Sequence, residues 1–165
     1  MSANGPNELF TQLVQSLNSG ARVDPTLAPL ICGGLPGEPG NLVAVRHQLE
    51  SWASTTGLSA SAVADLVLSA YEALANAAEH AYPSGHGPVD LVAARTIDSR
   101  VLVVVRDRGR WRPPPADPGF RGRGLLMIHA LAHRVEVQQS PQGTTVYMEW
   151  ALPAAGVGST TAQHE

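Results

Sequence analysis

Apolar residues recur along this chain at helical intervals first and at strand intervals later. Leu9, Leu13, Val14 and Leu17 share one face within residues 7–18 before Asn18 to Gly20 end the pattern, which predicts a short amphipathic helix whose apolar side must dock on something. Leu27 to Cys32 reads as a first strand, and the run Gly33, Gly34, Pro36, Gly37, Pro39, Gly40 predicts a turn after it. Leu42, Val45, Leu49 and Trp52 then fit a helix over residues 41–54, with Asn41 as its cap and Gly57 beyond its end. Ser59 or Ser61 can cap the next helix, which carries Val63, Leu66, Val67, Ala70 and Leu74 and runs to about His80, where Pro83 and Gly85 stop it.

Beyond that helix the period shortens. Val89 to Thr96 and Val101 to Arg106 predict an antiparallel hairpin through Ile97, Asp98, Ser99 and Arg100. The second arm, Val-Leu-Val-Val-Val, is too uniformly apolar to have a wet face and predicts a central strand. Pro113, Pro114, Pro115, Pro118, Gly109, Gly119, Gly122 and Gly124 forbid regular structure from Arg108 to Gly124, so a long loop must lead into a helix over residues 125–133. A final hairpin, 134–139 with 144–152, turns at Pro141, Gln142 and Gly143. Helices gathered among hairpins predict an α+β two-layer sandwich: a mixed, mostly antiparallel sheet with helices on one face. The expected divisions are an extension over residues 1–22, one domain over 23–152 and a disordered tail over 153–165.

Composition narrows the function classes. A chain of 165 residues with 44% hydrophobic and 15% charged residues can bury a real core, and no apolar run nears the roughly 20 residues needed to span a bilayer. Without a basic stretch ahead of an apolar run, no targeting segment is expected, and the reading is a cytoplasmic protein with no membrane partner. The lone Cys32 has no disulfide partner and is expected as a buried apolar residue. A formal net charge of -3 argues against nucleic acid as a partner. All 11 basic residues are arginines, and five of them, Arg108, Arg110, Arg112, Arg121 and Arg123, crowd the long loop, where forked guanidinium groups suit phosphate.

The candidate chemistry sits on the second helix. Glu72 and Asn76 are one turn apart on a face left open by alanines, with His80 a turn further. A carboxylate can take a proton or hold a cation, and an amide oxygen is a hard ligand suited to magnesium. The bland alternative is a solvated polar stripe. Asp107, at the tip of the central strand, is placed to face a ligand crevice or merely to cap the turn at Gly109. Gly122, Arg123, Gly124 and Leu125 bring glycines to a helix start, where backbone amides can meet an anion. His129 and His133 are spaced i, i+4 as zinc ligands could be, but no third ligand is evident. Trp52, Trp111 and Trp150 read as packing residues.

Taken in order, Glu72-x-x-x-Asn76, Asp107-x-Gly109, Gly122-x-Gly124 and Gly143-Thr144-Thr145 resemble the N box and the three glycine boxes of the GHKL ATPases, which include gyrase, sensor histidine kinases and anti-sigma serine kinases. Val45-Arg46 with Leu49 and Trp52, Gly57-Leu58-Ser59, and Glu72 through Asn76 and His80 to Ala81-Tyr82 are similar to the bacterial anti-sigma regulatory serine/threonine kinases in particular. The resemblance covers about residues 24–152. It implies ATP and Mg2+ as cofactors, with Asn76 on the metal and Glu72 as general base toward a serine hydroxyl. It further implies that Asp107 accepts the adenine amino group, that Gly109, Gly122, Gly124, Leu125 and Thr145 line the pocket, and that Arg121 or Arg123 touches phosphate. The implied partners are a sigma factor and an anti-sigma antagonist protein, with a homodimer left open. Two departures are Trp111 and the pair Leu125-Leu126, which stand where many relatives carry glycine. A partner-binding switch without catalysis and a catalytic fragment of a histidine kinase are the competing readings.

Overall fold

A computed structural model describes residues 21–80, 87–109 and 123–154. The expected helix over 7–18, the loop over 110–122 and the tail beyond Ala154 lie outside them. The described elements are β1 (Leu30–Pro36), α1 (Pro39–Ala53), α2 (Ala60–His80), β2 (Pro88–Arg95), β3 (Arg100–Asp107), α3 (Gly124–Leu131), β4 (Arg134–Ser140) and β5 (Gly143–Ala151).

The sheet runs β1-β2-β3-β5-β4, and all four ladders are antiparallel. The valine-rich β3 therefore takes the centre, as its pattern requires. Alternation sends Val101, Val103 and Val105 of β3, Val89, Leu91 and Ala93 of β2, and Val146, Met148 and Trp150 of β5 into one core with the helices. Leu49 of α1, Leu66 and Leu74 of α2 and Ile128 of α3 are at most 1% exposed within it, and each such side chain contributes roughly 1.5–3 kcal/mol by leaving water. The alanines of α2, Ala70, Ala73, Ala77 and Ala78, are also buried there, so this helix can lie close to its neighbours. The result is an α+β sandwich with the described helices on one side of the sheet.

Four local expectations need correction. β1 does not stop at Cys32. It continues through Gly33 and Gly34 to Pro36, because an edge strand can absorb an extra residue: three steps from Cys32 to Leu35 match two from Leu91 to Val89 on β2. Gly34 adopts φ +63° in that bulge, and its N–H donates to Asp90 Oδ1 at 2.7 Å. Asn41 is not the cap of α1. Pro39 opens the helix with its preset φ, Glu38 is the N-cap, and the Asn41 amide donates instead to Pro36 O at 3.3 Å. α2 does begin as expected on Ser59, whose hydroxyl accepts the Ala62 N–H at 3.2 Å. α3 ends at Leu131, short of His133, because Ala132 turns extended and the His133 N–H goes to Glu149 O at 2.9 Å. His129 and His133 thus share no helix face, and His133 Nδ1 accepts from the Ala151 N–H. Cys32 is a buried free thiol, pushed up in pKa by that burial, and Trp150 is 1% exposed with its indole N–H on Leu131 O. No described helix is long and apolar enough to cross a membrane.

Candidate functional site

α2 supplies Glu72 and Asn76, both half-buried, from a stretch whose intervening Ala73 is fully packed in the core. Because small residues surround the pair, nothing on α2 itself fills the space above them. α3 approaches there. A Cβ placed on Gly124, the first residue of α3, would stand 2.8 Å from Asn76 Nδ2, 3.4 Å from Asn76 Oδ1 and 3.4 Å from Glu72 Oε2. Only glycine lets the helix start come so near both groups. The N–H groups of the first helical turn and the positive end of the helix dipole are thereby brought toward a carboxylate and a carboxamide.

Asp107 ends β3 on the side of the sheet that faces the helices, in step with Val101, Val103 and Val105. It is 6% exposed, and burial raises its pKa, opposed by hydrogen bonds from the Thr144 and Gly109 backbones. Both N–H groups, Gly109 at 3.0 Å and Thr144 at 3.2 Å, donate to Oδ1. Among the described residues no hydrogen bond reaches the other carboxylate oxygen. Asp107 thus does cap its own turn, and that cap orients it. Gly143 makes the arrangement possible: it holds φ +139°, and a Cβ there would lie 2.0 Å from the carbonyl oxygen of Asp107.

The remaining expected residues divide. Arg123 is the exposed N-cap residue of α3, and Leu125 is 42% exposed beside Gly124. Arg121 and Gly122 lie outside the described residues. Thr145 is half-buried opposite Arg106 in register, and alternation puts it with Tyr147 on the sheet face away from the helices. Thr144, its neighbour, is the residue that reaches Asp107. It does so through its backbone N–H, a bond that the side chain at this position does not determine.

Sequence reasoning also passed over Asp90, Arg106 and Ser69. Asp90 is 1% exposed on the far face, where Oδ2 accepts from Arg106 at 3.0 Å and Arg108 at 3.1 Å. It therefore grips the residues on either side of Asp107. Ser69 precedes Glu72 by three residues and Asn76 by seven, so it lies along the same helix stripe. It is fully buried, and its hydroxyl has no hydrogen-bond partner among the described residues. Nor do the described residues contain a cluster of three or more His, Cys, Asp or Glu able to hold a metal by themselves.

The chain is similar to several proteins of known structure. Among solved structures the chain is similar to the RsbU and RsbW domains of Rv1364c from Mycobacterium tuberculosis, with a TM-score of 0.63 and 29% identity over 76% of this chain and 32% of that one. This chain thus spans about a third of that structure. It is also similar to the SiaB-SiaC complex from Pseudomonas aeruginosa (TM-score 0.58, 12% identity, 88% of this chain and 100% of that one). A third is the histidine kinase domain of a blue-light activated histidine kinase from Erythrobacter litoralis (TM-score 0.50, 18% identity, 68% of this chain and 60% of that one). At these identities the last two likenesses speak for the fold. Residues 35–150, which include Glu72, Asn76, Asp107, Gly124 and Thr144, match the family model of the histidine kinase-like ATPase domain, and the chain belongs to that family.

Proposed function

We propose that the chain is an ATP-dependent protein serine/threonine kinase that acts as an anti-sigma factor, binding a sigma factor and phosphorylating an antagonist protein. The observation that carries this reading is the approach of Gly124 to Glu72 and Asn76, with 3.4 Å from its Cβ position to Glu72 Oε2. A helix start suited to phosphate and a carboxylate suited to a proton meet at one point. The family is one of ATPase domains, so an adenine nucleotide is the implied ligand.

The residues fit Mg2+ as well. With no three-acid cluster among the described residues, a divalent ion would take one or two protein ligands and complete its shell with phosphate oxygens and water, as magnesium usually does. Asn76 Oδ1 would be that ligand. The bound nucleotide supplies the phosphoryl group, and positioning with charge neutralisation does most of the catalysis. Glu72 accepts the proton of the incoming serine hydroxyl. Asp107, held by Gly109 and Thr144, would accept a hydrogen bond from the adenine amino group. Arg123 and, from the loop, Arg121 are the candidates for phosphate contact. The sigma factor and the antagonist rest on the resemblance of the Glu72 to Tyr82 string to anti-sigma kinases, and such work is cytoplasmic.

Titration calorimetry with ATP and Mg2+, followed by transfer from labelled ATP to candidate antagonists, tests the reading. Glu72→Ala should abolish transfer and leave ATP affinity nearly unchanged, whereas Asn76→Ala should remove the Mg2+-dependent part of binding. Transfer that survives Glu72→Ala would discard the general base. Nucleotide binding with no transfer to any hydroxyl substrate would leave a partner-binding switch.

A further inference from the structure

Asp90 stands one layer behind the site. β3 turns Asp107 toward the helices and Arg106 the other way, and both Arg106 and Arg108 reach Asp90 behind the sheet. At 1% exposure Asp90 is a costly place for a charge unless several donors meet it. Four N–H groups do. Gly34 N donates to Oδ1 at 2.7 Å, while Oδ2 accepts from Arg106 Nε at 3.2 Å, from Arg106 Nη2 at 3.0 Å and from Arg108 Nη2 at 3.1 Å. With one oxygen committed to the β1 bulge and the other to both guanidinium groups, the carboxylate cannot rotate freely. The place of this junction matters as much as its strength. On β2 the register ends at Val89 opposite Asp107, and on β5 it ends one residue sooner, at Thr145 opposite Arg106. Past that point Asp90 holds the chain through the side chain of Arg108. Gly109 comes next and supplies one of the two N–H groups that orient the Asp107 carboxylate. The grip on Arg106 and Arg108 therefore fixes both the backbone that carries Asp107 and a donor that aims it.

Resting on the nucleotide reading of this site, we propose that Asp90 is a positioning residue for base recognition: it sets Asp107, and through Asp107 the preference for adenine over guanine. A carboxylate accepts from the amino group of adenine, whereas guanine presents a carbonyl oxygen at the same place and meets it acceptor to acceptor. Discrimination of that kind needs placement to within about half an ångström by a supporting layer of hydrogen bonds. Asp90 provides that layer from behind the sheet, without touching the nucleotide. Arg106 and Arg108 are then the two arms through which it acts, and the Gly34 bulge is the anchor that keeps the carboxylate from following them.

The test is the ratio of ATP to GTP affinity, measured by calorimetry on the full chain with Mg2+. Asp90→Asn keeps the size of the side chain, but its NH2 must face either the Gly34 N–H or the guanidinium donors, so half of the junction opens. The ratio should fall about fivefold, part of what one hydrogen bond to a charged group is worth. Arg108→Ala, at a side chain 53% exposed, loosens the same hold with little risk to folding and should move the ratio the same way by a smaller factor. Any phosphate contact of Arg108 is common to both nucleotides and cancels in the ratio. In the Asp107→Asn background, Asp90→Asn should change the ratio by less than about twofold, because the group it positions is gone. A ratio unchanged by Asp90→Asn, whatever happens to the melting temperature, overturns the proposal and leaves Asp90 a structural tie. An equal fall in both backgrounds overturns it too. Where Asp90→Asn melts too low to assay, Arg108→Ala decides by the same criterion. A wild-type chain that binds neither nucleotide, or binds both equally, fails at Asp107 itself and overturns the adenine reading together with the role of Asp90.

Discussion

The two ends of the same sheet handle polar groups in opposite ways. At the β2–β3 turn they are matched to one another: Asp24 accepts from the N–H and hydroxyl of Thr26 and from Arg95, which also reaches Thr56 O and the Thr26 hydroxyl. Arg100 joins Glu149 at 3.0 Å and also pairs with Asp98, while Thr96 and Arg100 close the hairpin through hydrogen bonds in both directions. The carboxyls there are held below the usual range. For Asp24 the largest cause is the Thr26 hydroxyl, and for Asp98 the Thr96 side chain followed by Arg100. At the opposite end Asp107 is raised by burial, and no side-chain hydrogen bond among the described residues engages Glu72 or Asn76. One end pairs its charged side chains with one another, whereas at the other Glu72 and Asn76 stand without such bonds among the described residues beside the network of Asp90 and the capped Asp107. Strained or underused polar groups gathered in a cleft are how a site differs from a scaffold.

The largest expected effect comes from closing the approach at Gly124. Alanine is the better residue in a helix by about 1 kcal/mol, so Gly124→Ala should leave the melting temperature unchanged or raise it. Its new Cβ would nevertheless lie 2.8 Å from the Asn76 amide and displace it. Misplacement on that scale should lower kcat/KM for phosphoryl transfer about 100-fold. A variant with full activity would show that the helix start does not work beside Asn76.

Asp107→Asn separates the two ends by charge. The amide keeps an oxygen for the Gly109 and Thr144 N–H groups and removes the cost of burying a carboxylate, so melting temperature at neutral pH should hold or rise. Adenine nucleotide affinity should fall about tenfold, in keeping with one lost hydrogen bond to a charged group. The pH signs are opposite. A raised carboxyl binds its proton more tightly folded than unfolded, so its contribution to stability is complete below the ordinary value of 3.8 and is lost as pH rises through the folded value. Asp24 and Asp98 are lowered. Their contributions are present above 3.8 and are lost as pH falls through their folded values. Melting curves of the two proteins between neutral and acid pH should therefore converge or cross as Asp107 protonates, and a constant gap would mean that Asp107 titrates normally.

Arg95→Ala asks the scaffold question alone. It removes the guanidinium that ties Asp24, Thr26 and Thr56 together, and the melting temperature should drop by several degrees. Nucleotide affinity should not change. A loss of affinity equal to that of Asp107→Asn would mean that the two ends are coupled through β2 and β3, and the contrast between them would fail.

Local spacing was legible in the sequence, and partnerships between distant segments were not. Periodicity found both core helices and the central β3, because a buried face must repeat at 3.6 or 2 residues. It also found Glu72 with Asn76, since i, i+4 spacing is local information. The partnership of Asp24 with Arg95 spans 71 residues and leaves no periodic trace. Neither does Asp90 with Gly34, across 56. The bulge in β1 was misread because glycines signal a turn to a local reading, whereas at an edge they can accommodate one extra residue. The bond from the Thr144 backbone to Asp107 spans 37 residues and leaves no local trace either.

Ser69 gives the smallest predicted effect and the finest test of where the site stops. It shares the α2 stripe with Glu72 and Asn76, yet it is buried at 0% exposure with an unpartnered hydroxyl, so it resembles the site end in being unsatisfied and the scaffold end in being closed to water. Removing a buried hydroxyl that bonds to nothing relieves a desolvation cost, and Ser69→Ala should stabilise the fold by about 1 kcal/mol. Denaturant midpoints at constant slope would read this directly. A loss of similar size would mean that the hydroxyl has a partner, such as an ordered water or a ligand, and the underused polar groups of the site would then extend one turn further along α2 than Glu72.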